Sequence, residues 1–365
     1  MKVLYALPRF RANTGQETRL AQIIRYGQGK WESTLMSNNF FLLPGSFPLE
    51  SNVSILKIRN YYSTFLNPFP IRSAIKKFDL VHIESGVPYL YAAKHLRIPK
   101  IYTLHGEFEQ TKGSIKGKIK ASMANILEAK TADIADALIG VSKWVCDFYK
   151  KEYGFDLHYI PDSIDMSLFR YKKKLVDRER LKLAIIGGWD GFDGRKRQHD
   201  FLELMPSLVH AFPGISLKMI GLRTEQIEVL KSIVYEKGLM EFVEFIGKVP
   251  DHELASAISD TDILVVTSLQ EGFHRPTIEA MASGVPVLAR QPSADVSPLN
   301  MAHYLHVKES GGGDTFDFPK DDIVEKVEGI LDQYGDKACR GYEYAKQFDN
   351  KVVLPKYEHL YRTLL

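Results

Sequence analysis

Two glutamates stand eight positions apart in residues 271–290, which read EGFHRPTIEAMASGVPVLAR. Pro276 suits the first turn of a helix, where its missing N–H group costs nothing, and Gly284 suits a helix C-terminal cap. Glu271 is therefore expected in a loop just before the helix, and Glu279 about one turn inside it. Because carboxylates accept strong hydrogen bonds, this pair could bind the hydroxyl groups of a sugar.

The elements around the two glutamates place them at the edge of a parallel sheet. Residues 262–268 (DILVVTS) and 286–290 (PVLAR) are apolar runs typical of buried strands, so the segment predicts a strand–loop–helix–strand crossover. Ligands of open α/β sheets bind beyond the carboxyl ends of the strands, often at helix N-termini. A glutamate early in a helix is also favoured by the helix dipole alone, which is the ordinary explanation for either acid taken singly.

Composition and cysteine content indicate a soluble intracellular protein. The 365 residues suffice for two domains, and the 45% of hydrophobic and 25% of charged residues are typical of globular proteins. No apolar run approaches the roughly 18 residues of a transmembrane helix, and the start, MKVLYALPRF, resembles a first strand more than a signal peptide. Cys146 and Cys339 are the only cysteines, which favours a reducing cytosol. We therefore expect a cytoplasmic protein.

Charge is distributed unevenly along the chain. Residues 1–170 contain 23 Lys and Arg against 15 Asp and Glu, whereas the remainder contains 25 against 30. The basic part could meet a phosphate-bearing acceptor or the inner face of an anionic membrane. The lysine-rich stretch 111–123 (TKGSIKGKIKASM) could lie on such a surface, although a solvated helix face is the commoner case. No nucleic-acid-binding motif accompanies the charge, so no nucleic-acid partner is expected.

Strand-like runs alternate with helix-like stretches, which predicts an α/β fold with helices on both faces of parallel sheets. Strands are expected at 2–8, 53–58, 79–85, 100–106, 137–142, 181–188, 216–221, 243–247, 262–268 and 286–290. The charged segment 170–182 has no apolar period and precedes a new strand. It therefore marks the expected boundary between two doubly wound domains.

The ordered segments resemble a known family. SLQEGFHRPTIEAMASGVPVLA resembles the E-x7-E signature of retaining glycosyltransferases of family 4, which have the GT-B fold. Partial matches in the same order extend this resemblance over nearly all of the chain, among them YTLHGEF, ADALIGVSKWV, IPDSIDMSLF, LAIIGGWDGFDGRKRQHDFLEL and VEFIGKVPDHEL. It implies two Rossmann-like domains that face across a cleft. Residues 1–170 would bind the acceptor, 171–346 would bind the nucleotide sugar, and the final helix, 347–365, would cross back to complete the first domain.

The resemblance also implies roles at matched positions. Glu271 would contact the hydroxyls of the donor sugar, Glu279 the ribose, and Lys196 the diphosphate, while His105 would lie against the transferred sugar. Backbone N–H groups of residues 273–275 would approach the sugar and the diphosphate. The further donor-binding candidates are Gly188, Arg195, Gly272, Phe273, His274, Arg275 and Val249. Taken alone, Lys196 would be explained as a solvated charge and His105 as a turn residue.

Two departures from the family pattern concern the same donor site. The family usually has Gly-Arg where this chain has Gly188 and Trp189, so one cation for the diphosphate is missing from its usual place. We hypothesise that Arg275 or Arg195 supplies the missing charge. The family loop normally reads Glu-Gly-Phe-Gly, and His274 in place of the last glycine would narrow the sugar pocket.

The acceptor side has weaker signals. Arg9 and Arg11 in the loop RFRANTGQE could bind a phosphate, and Gly15 would let the backbone approach a ligand closely, although solvated loop arginines are the commoner case. The segment IPDSID has Asp162 and Ser163 where the family has Asn-Gly. This leaves the role of Asp162 open, with a turn residue as the ordinary explanation.

The prediction is a metal-independent glycosyltransferase that needs no cofactor. It would move a hexose-type sugar, with retention, from a nucleotide diphosphate sugar to a glycan or lipid-linked acceptor in polysaccharide synthesis. The DTD at 260–262 mimics a metal-binding motif but precedes its strand, at the edge of the sheet opposite to ligands. Two alternatives stay open, a nucleotide-sugar-binding protein of the same fold without turnover and a sugar-nucleotide epimerase. A nicotinamide enzyme lacks its GxGxxG motif.

Overall fold

The computed structural model describes residues 1–11, 15–37, 39–41, 53–57, 67–84, 86–106, 123, 126–292 and 301–365, with the backbone alone at 9–11 and 39–41. The chain divides into two compact units. The first unit comprises Met1–Ser163 together with Asn350–Leu365, and the second comprises Ile164–Asp349.

Residues 164–170 belong to the second unit, whereas the charged segment 170–182 suggested a later boundary. Ile164 donates its N–H to the carbonyl oxygen of Phe348 at 2.9 Å. Ile164 and Phe169 are also buried in an apolar cluster of the second unit. An apolar side chain joins the core against which it packs, and so these two residues, rather than the charged linker, fix the division.

The first unit is built on a parallel sheet. Its strands and those of a small separate sheet are β1 (Lys2–Ala6), β2 (Arg9–Arg11), β3 (Glu32–Ser37), β4 (Asn39–Phe41), β5 (Ser54–Lys57), β6 (Leu80–Glu84), β7 (Lys100–Leu104), β8 (Ala137–Gly140) and β9 (His158–Tyr159). The main sheet has the order β5-β3-β1-β6-β7-β8-β9, and β2 pairs with β4. The described helices of this unit are Gly15–Tyr26, Phe69–Ile75, Val87–Ala93, a stretch at 126–132, Lys143–Tyr153 and Asn350–Leu364.

The C-terminal helix completes the core of the first unit. Its side chains Tyr357 and Tyr361 are fully buried in the same apolar cluster as Val3 and Tyr5 of β1. Because successive residues of a strand point to opposite faces, Val3 and Tyr5 share the face that this helix covers. Asn350–Leu364 therefore contributes to the first unit although it follows the second in sequence.

The second unit has a six-stranded sheet in the order β12-β11-β10-β13-β14-β15. Its strands are β10 (Lys182–Ile186), β11 (Ser216–Ile220), β12 (Val243–Ile246), β13 (Ile263–Val266), β14 (Val287–Arg290) and β15 (Gly313–Phe316). Its helices are Arg178–Arg180, Gln198–Ala211, Thr224–Glu236, Asp251–Ser259, Arg275–Ala282, Ala302–Ser310, Ile323–Asp332, Tyr334–Ala345 and Lys346–Phe348, of which the first and last are 3₁₀ turns. Within the described residues, no helix combines the length and the apolar character that crossing a bilayer requires.

Both faces of this second sheet are covered. Along β10, Leu183 and Ile185 belong to one buried cluster and Ala184 and Ile186 to another. Strands buried on both faces read as continuous apolar runs in parallel sheets, which is why the sequence identified β10 readily. The strand order reverses direction between β10 and β13, so a topological switch point lies between the carboxyl ends of these two strands.

The crossover predicted around the two glutamates is confirmed. A helix begins at Arg275, with Pro276 in its first turn, and runs to Ala282 between β13 and β14. Gly284 follows with a φ of +75°, and a Cβ there would lie 2.8 Å from the ring of Tyr171. Glycine is thus needed both for the left-handed backbone and for the close approach of Tyr171.

Candidate active site

Two loops of the second unit meet beyond the carboxyl ends of β10 and β13. The backbone N–H of Leu269 donates to the carbonyl oxygen of Arg195 at 2.7 Å. The hydroxyl of Thr267 donates to the backbone carbonyl oxygen of Lys196 at 2.6 Å. These bonds join segments that are far apart in sequence. They hold the lysine-containing loop against the loop that enters the helix Arg275–Ala282.

The cations of the first loop bind the glutamate of the second. Lys196 Nζ lies 2.5 Å from Oε1 of Glu271, and Arg195 Nη1 lies 3.1 Å from its Oε2. Arg195 Nη1 also donates to the carbonyl oxygen of Gln270 at 2.9 Å. The structure therefore brings together three of the residues that the sequence assigned to the donor site.

The carboxylate of Glu271 is buried and ionised. Burial acts to raise its pKa, but attraction by Lys196 and Arg195 outweighs burial and holds the pKa well below its usual range. A buried carboxylate keeps its charge only where cations and hydrogen bonds compensate. Glu271 can therefore accept hydrogen bonds from ligand hydroxyls throughout the neutral pH range.

Asp190 positions the two cations and was not identified from the sequence. Its two carboxylate oxygens accept the backbone N–H groups of Arg195 and Lys196, each at 3.0 Å. Asp and Asn commonly close turns by accepting backbone N–H groups. The glycine-rich segment WDGFDGRK was the available signal, since Asp190 precedes two glycines in it.

His274 occupies a backbone conformation that favours glycine. Its φ is +60° and its ψ 72°, at the residue that precedes the helix Arg275–Ala282. The buried ring makes a 2.8 Å contact between Nδ1 and the hydroxyl of Thr277, and its centroid lies 5.7 Å from that of His303. Burial lowers the pKa of His274 well below its usual range, because the opposing attraction of Glu271 is the smaller effect.

The second glutamate of the signature is paired with the arginine one turn before it. Arg275 Nη2 lies 3.3 Å from Oε1 of Glu279, and both side chains are largely withdrawn from solvent. Burial raises the pKa of Glu279, with Asp251 acting in the same direction and Arg275 opposing them. Both arginines considered for the missing diphosphate charge are thus held by glutamates of the signature, Arg275 by Glu279 and Arg195 by Glu271.

The remaining donor-binding candidates differ in what they offer a ligand. Phe273 is buried against His306 and Phe348, and its carbonyl oxygen contacts Nε2 of His306 at 2.9 Å, so its side chain belongs to the core. Gly188 is exposed, and a Cβ there would lie 3.7 Å from Oε1 of Gln226. Val249 is half-buried beside the apolar cluster. Gly272 lies between Glu271 and Phe273 in the loop.

His105 of the first unit lies among charged side chains. Its Nε2 is 2.9 Å from Oε2 of Glu84 and 2.8 Å from Nη2 of Arg19. Arg19 is fully buried, forms a direct ion pair with Glu84, and places Nη1 3.2 Å from Oδ1 of Asp162. Asp162 is therefore a buried partner of Arg19, and interpreting it as an ordinary turn residue was wrong.

Arg19 and Glu84 were not predicted as site residues from the sequence. Glu84 is the last residue of β6, at the edge of the sheet where ligands bind, so the carboxyl-end rule could have identified it. Arg19 gave no signal, because a single arginine in an amphipathic helix normally extends into solvent. Its burial depends on two acids that lie far from it in sequence.

The acceptor-side candidates are only partly described. The backbone of Arg9 and Arg11 forms β2, whereas their side chains lie outside the described residues. Gly15 is the first residue of its helix, and a Cβ there would meet no atom within 4 Å, so packing does not require glycine at this position. Most of the lysine-rich stretch 111–123 also lies outside the described residues.

The acids of the DTD segment are bound by lysines. Asp260 accepts hydrogen bonds from Lys182 at 2.7 Å and from Lys218 at 3.0 Å. Asp262 accepts the backbone N–H of Lys182 at 2.9 Å and lies 3.8 Å from Nζ of Lys174. These ion pairs lie at the amino end of β13. They give both acids a structural role as partners of lysines.

Two family models match this chain, Glycosyltransferase Family 4 over residues 14–168 and Glycosyl transferases group 1 over residues 172–347. The chain is 25% identical over 298 residues to a phosphatidyl-myo-inositol mannosyltransferase of Mycobacterium leprae, which covers 79% of this chain and 74% of the relative. It is 26% identical over 238 residues to the putative teichuronic acid biosynthesis glycosyltransferase TuaC of Bacillus subtilis, which covers 63% and 57%. The chain thus spans little more than half the length of TuaC.

Solved structures show the same fold at low sequence identity. Sucrose-phosphate synthase of Thermosynechococcus elongatus aligns with a TM-score of 0.78 and 17% identity, over 100% of this chain and 99% of that one. Anabaena HepE in complex with UDP-glucose aligns with a TM-score of 0.74 and 15% identity, over 100% of both chains. Together with the two parallel-sheet units, these likenesses show a GT-B fold.

Proposed function

This chain belongs to glycosyltransferase family 4, and from that premise we propose that it transfers a hexose-type sugar from a nucleotide diphosphate sugar to an acceptor hydroxyl. The anomeric configuration of the sugar is retained in this proposal. The second unit binds the donor through Lys196, Arg195, Glu271 and Glu279. The first unit binds the acceptor, and His105 contacts the transferred sugar.

The observation that carries the proposal is the meeting of Lys196, Arg195 and the buried Glu271 beside a helix N-terminus. A diphosphate gains negative charge as the glycosidic bond breaks, and preorganised cations stabilise that charge best. An ammonium group has three N–H donors, so Lys196 can hold Glu271 and a phosphate oxygen together. The N-terminus of the helix adds partial positive charge from its dipole.

The glutamates have different roles in this proposal. Glu271 stays ionised and accepts hydrogen bonds from hydroxyls of the donor sugar. Glu279 accepts from the ribose, and the raised pKa of its buried carboxyl favours a partner that supplies hydrogen-bond donors. Arg275 lies within reach of Glu279 and can turn toward the diphosphate when ribose hydroxyls replace it.

Relatives support a nucleotide-sugar donor and a glycan or lipid-linked acceptor. HepE was solved with UDP and with UDP-glucose. The relative of M. leprae is named for transfer to phosphatidyl-myo-inositol, and another, of Salmonella typhimurium, for the O-antigen chain. We propose an acceptor of this kind, used in polysaccharide synthesis by a cytoplasmic enzyme that contacts the membrane surface through its basic first part.

A donor screen followed by product analysis tests this function. Thermal unfolding is measured with UDP, GDP, ADP and their sugars, because a ligand that binds only the native state raises its stability. The stabilising donor is then incubated with candidate acceptors, and the anomeric configuration of the product is determined by NMR. Stabilisation and a retained product support the proposal.

Each other outcome contradicts a defined part of it. Donor binding without transfer or donor hydrolysis favours a binding protein of this fold. A changed sugar nucleotide formed without acceptor favours an epimerase, and an inverted product removes the retention. No stabilisation by any sugar nucleotide overturns the assignment of the donor site.

A further inference from the structure

A buried ionic cluster in the first unit surrounds the ring of His105. Arg19 comes from the helix Gly15–Tyr26, Glu84 from the end of β6, and Asp162 from the segment after β9. Arg19 and Glu84 are fully buried, whereas the side chain of His105 is 20% exposed. His105 is therefore the most exposed member of this cluster and the one best placed to contact a ligand.

The Nε2 atom of His105 faces two groups with opposite requirements. Arg19 Nη2, at 2.8 Å, can only donate a hydrogen bond, and the carboxylate of Glu84, at 2.9 Å, can only accept one. If Nε2 carries a proton, it donates to Glu84 and faces a guanidinium N–H. If Nε2 carries the lone pair, it accepts from Arg19 and faces a carboxylate oxygen. Distances alone do not decide between these tautomers.

The net charge of the cluster decides between them. Arg19 contributes one positive charge, and Glu84 and Asp162 contribute one negative charge each, so the surroundings of Nε2 are negative overall. Arg19 lowers the pKa of Glu84 well below its usual range against the effect of burial. His82, which also contacts Glu84 at 3.3 Å, stays neutral because burial lowers its pKa to about 4. A negative environment favours the tautomer in which Nε2 of His105 carries the proton and directs its N–H into the cluster.

We propose that Glu84, Arg19 and Asp162 are positioning residues that hold His105 in the tautomer protonated at Nε2, so that Nδ1 presents a lone pair to a hydroxyl group of the ligand. This inference deepens the proposed function and rests on it. Arg19 keeps Glu84 ionised and in place, and Glu84 orients the ring. Asp162 supplies the second negative charge, at a position where an asparagine would leave the cluster neutral.

The tautomer can be measured without any activity. In the full chain labelled with ¹⁵N-histidine, the ring nitrogen shifts of His105 are assigned by comparison with H105Q and followed with pH. We expect a protonated Nε2 and an unprotonated Nδ1 near neutral pH. In E84Q and D162N the His105 midpoint moves to lower pH, because both acids raise the pKa of His105 while burial and Arg19 lower it, and the Nδ1–H tautomer gains population.

Kinetics separate positioning from a structural effect. We expect E84Q and D162N to lower kcat about tenfold, the factor that corresponds to one pKa unit, with the KM for the donor nearly unchanged. E128Q is the matched control, because Glu128 is another buried acid of the first unit and is held by Tyr102 and Tyr149 at 2.6 and 3.1 Å. It should leave the kinetics, the tautomer and the midpoint of His105 unchanged.

Two results would overturn the inference. One is an Nδ1–H tautomer in the unaltered protein, and the other is an unchanged tautomer and midpoint in D162N and E84Q. D162N keeps the test decisive if E84Q does not fold, since Asp162 is less buried than Glu84. If no sugar transfer is detected, the proposed function fails while the ring nitrogen shifts still decide the tautomer.

Discussion

Lys196 and Glu271 lie 75 residues apart in sequence, yet Nζ of Lys196 lies 2.5 Å from Oε1 of Glu271. The lysine follows β10 and the glutamate follows β13, and these strands are neighbours in the sheet. Parallel strands end at one edge, so the topology brings both residues together. A change at either residue should therefore be felt by the other and by any ligand bound between the two loops.

Replacing Lys196 should weaken donor binding. K196M removes one charged hydrogen bond to the diphosphate, worth about 1.5–3 kcal/mol, or roughly tenfold to a hundredfold in Kd. Calorimetric titration with the nucleotide diphosphate measures the loss. K218M is the matched control, because Lys218 pairs with Asp260 near the amino end of β13. Equal affinity of K196M and K218M would remove Lys196 from the site.

Arg195 should contribute more to diphosphate binding than Arg275. Arg195 shares Glu271 with Lys196, whereas Arg275 is held by Glu279. We expect R195A to weaken nucleotide binding severalfold, less than K196M does, because Arg195 is 35% exposed and exposed charges are screened. R275A should have a smaller effect at low salt. Unchanged affinity in both variants dismisses the idea that either arginine replaces the missing family cation.

Neutralising Glu271 should change how stability depends on pH. The pKa of Glu271 is lowered in the folded state, so the folded protein holds fewer protons there than the unfolded one. Its contribution is complete above the unfolded pKa of about 4.3 and is lost as the pH falls below that value. The free energy of unfolding, measured in urea between pH 6 and 3, should therefore fall more steeply with decreasing pH for the unaltered protein than for E271Q. Parallel curves would contradict an ionised, buried Glu271.

His274 should determine which sugars fit. Both H274G and H274A remove the ring, but only glycine adopts a φ of +60° without backbone strain. We expect H274G to be more stable than H274A by about 1 kcal/mol in urea unfolding. In both variants, the kcat/KM for a donor with a bulkier sugar, such as an N-acetylhexosamine, should rise relative to the kcat/KM for the native donor. An unchanged ratio of kcat/KM values between the two donors would exclude His274 from the sugar pocket.

Transfer should not depend on a divalent metal ion. In the proposed mechanism, Lys196, Arg195 and the N-terminus of the helix Arg275–Ala282 neutralise the leaving diphosphate. We expect initial rates to be unchanged by EDTA and by subsequent addition of Mg²⁺ or Mn²⁺. A rate that collapses with EDTA and recovers with metal would show that these groups are insufficient.

The second unit could be predicted in detail from the sequence because its signals are local. Apolar runs identified β10, β11, β12, β13 and β14, and the Pro276 to Gly284 segment gave the helix between the last two. The sequence did not identify β15, whose residues Gly313–Phe316 include Gly, Asp and Thr.

In the first unit, the sequence did not identify β3, where Glu32, Ser33, Thr34 and Ser37 interrupt the apolar pattern.

The polar cluster of the first unit could not be predicted in the same way. Arg19 and Glu84 are 65 residues apart, and no local pattern distinguishes a buried arginine from a solvated one. His105 was identified only through the resemblance of its segment to the family. Sequence patterns thus indicated the residues that end strands, but not the partners that fix their orientation.

The hydrogen bonds of Leu269 to Arg195 and of Thr267 to Lys196 have a consequence for protein engineering. Neither loop is supported alone, since the loop around Glu271 donates to carbonyl groups of the loop around Lys196, and Arg195 donates back to the carbonyl oxygen of Gln270. A chimera that imports the loop around Glu271 from a relative with another donor would place it against an unmatched neighbour. Substrate preference should therefore be exchangeable only when residues 187–197 and 267–275 are transplanted together.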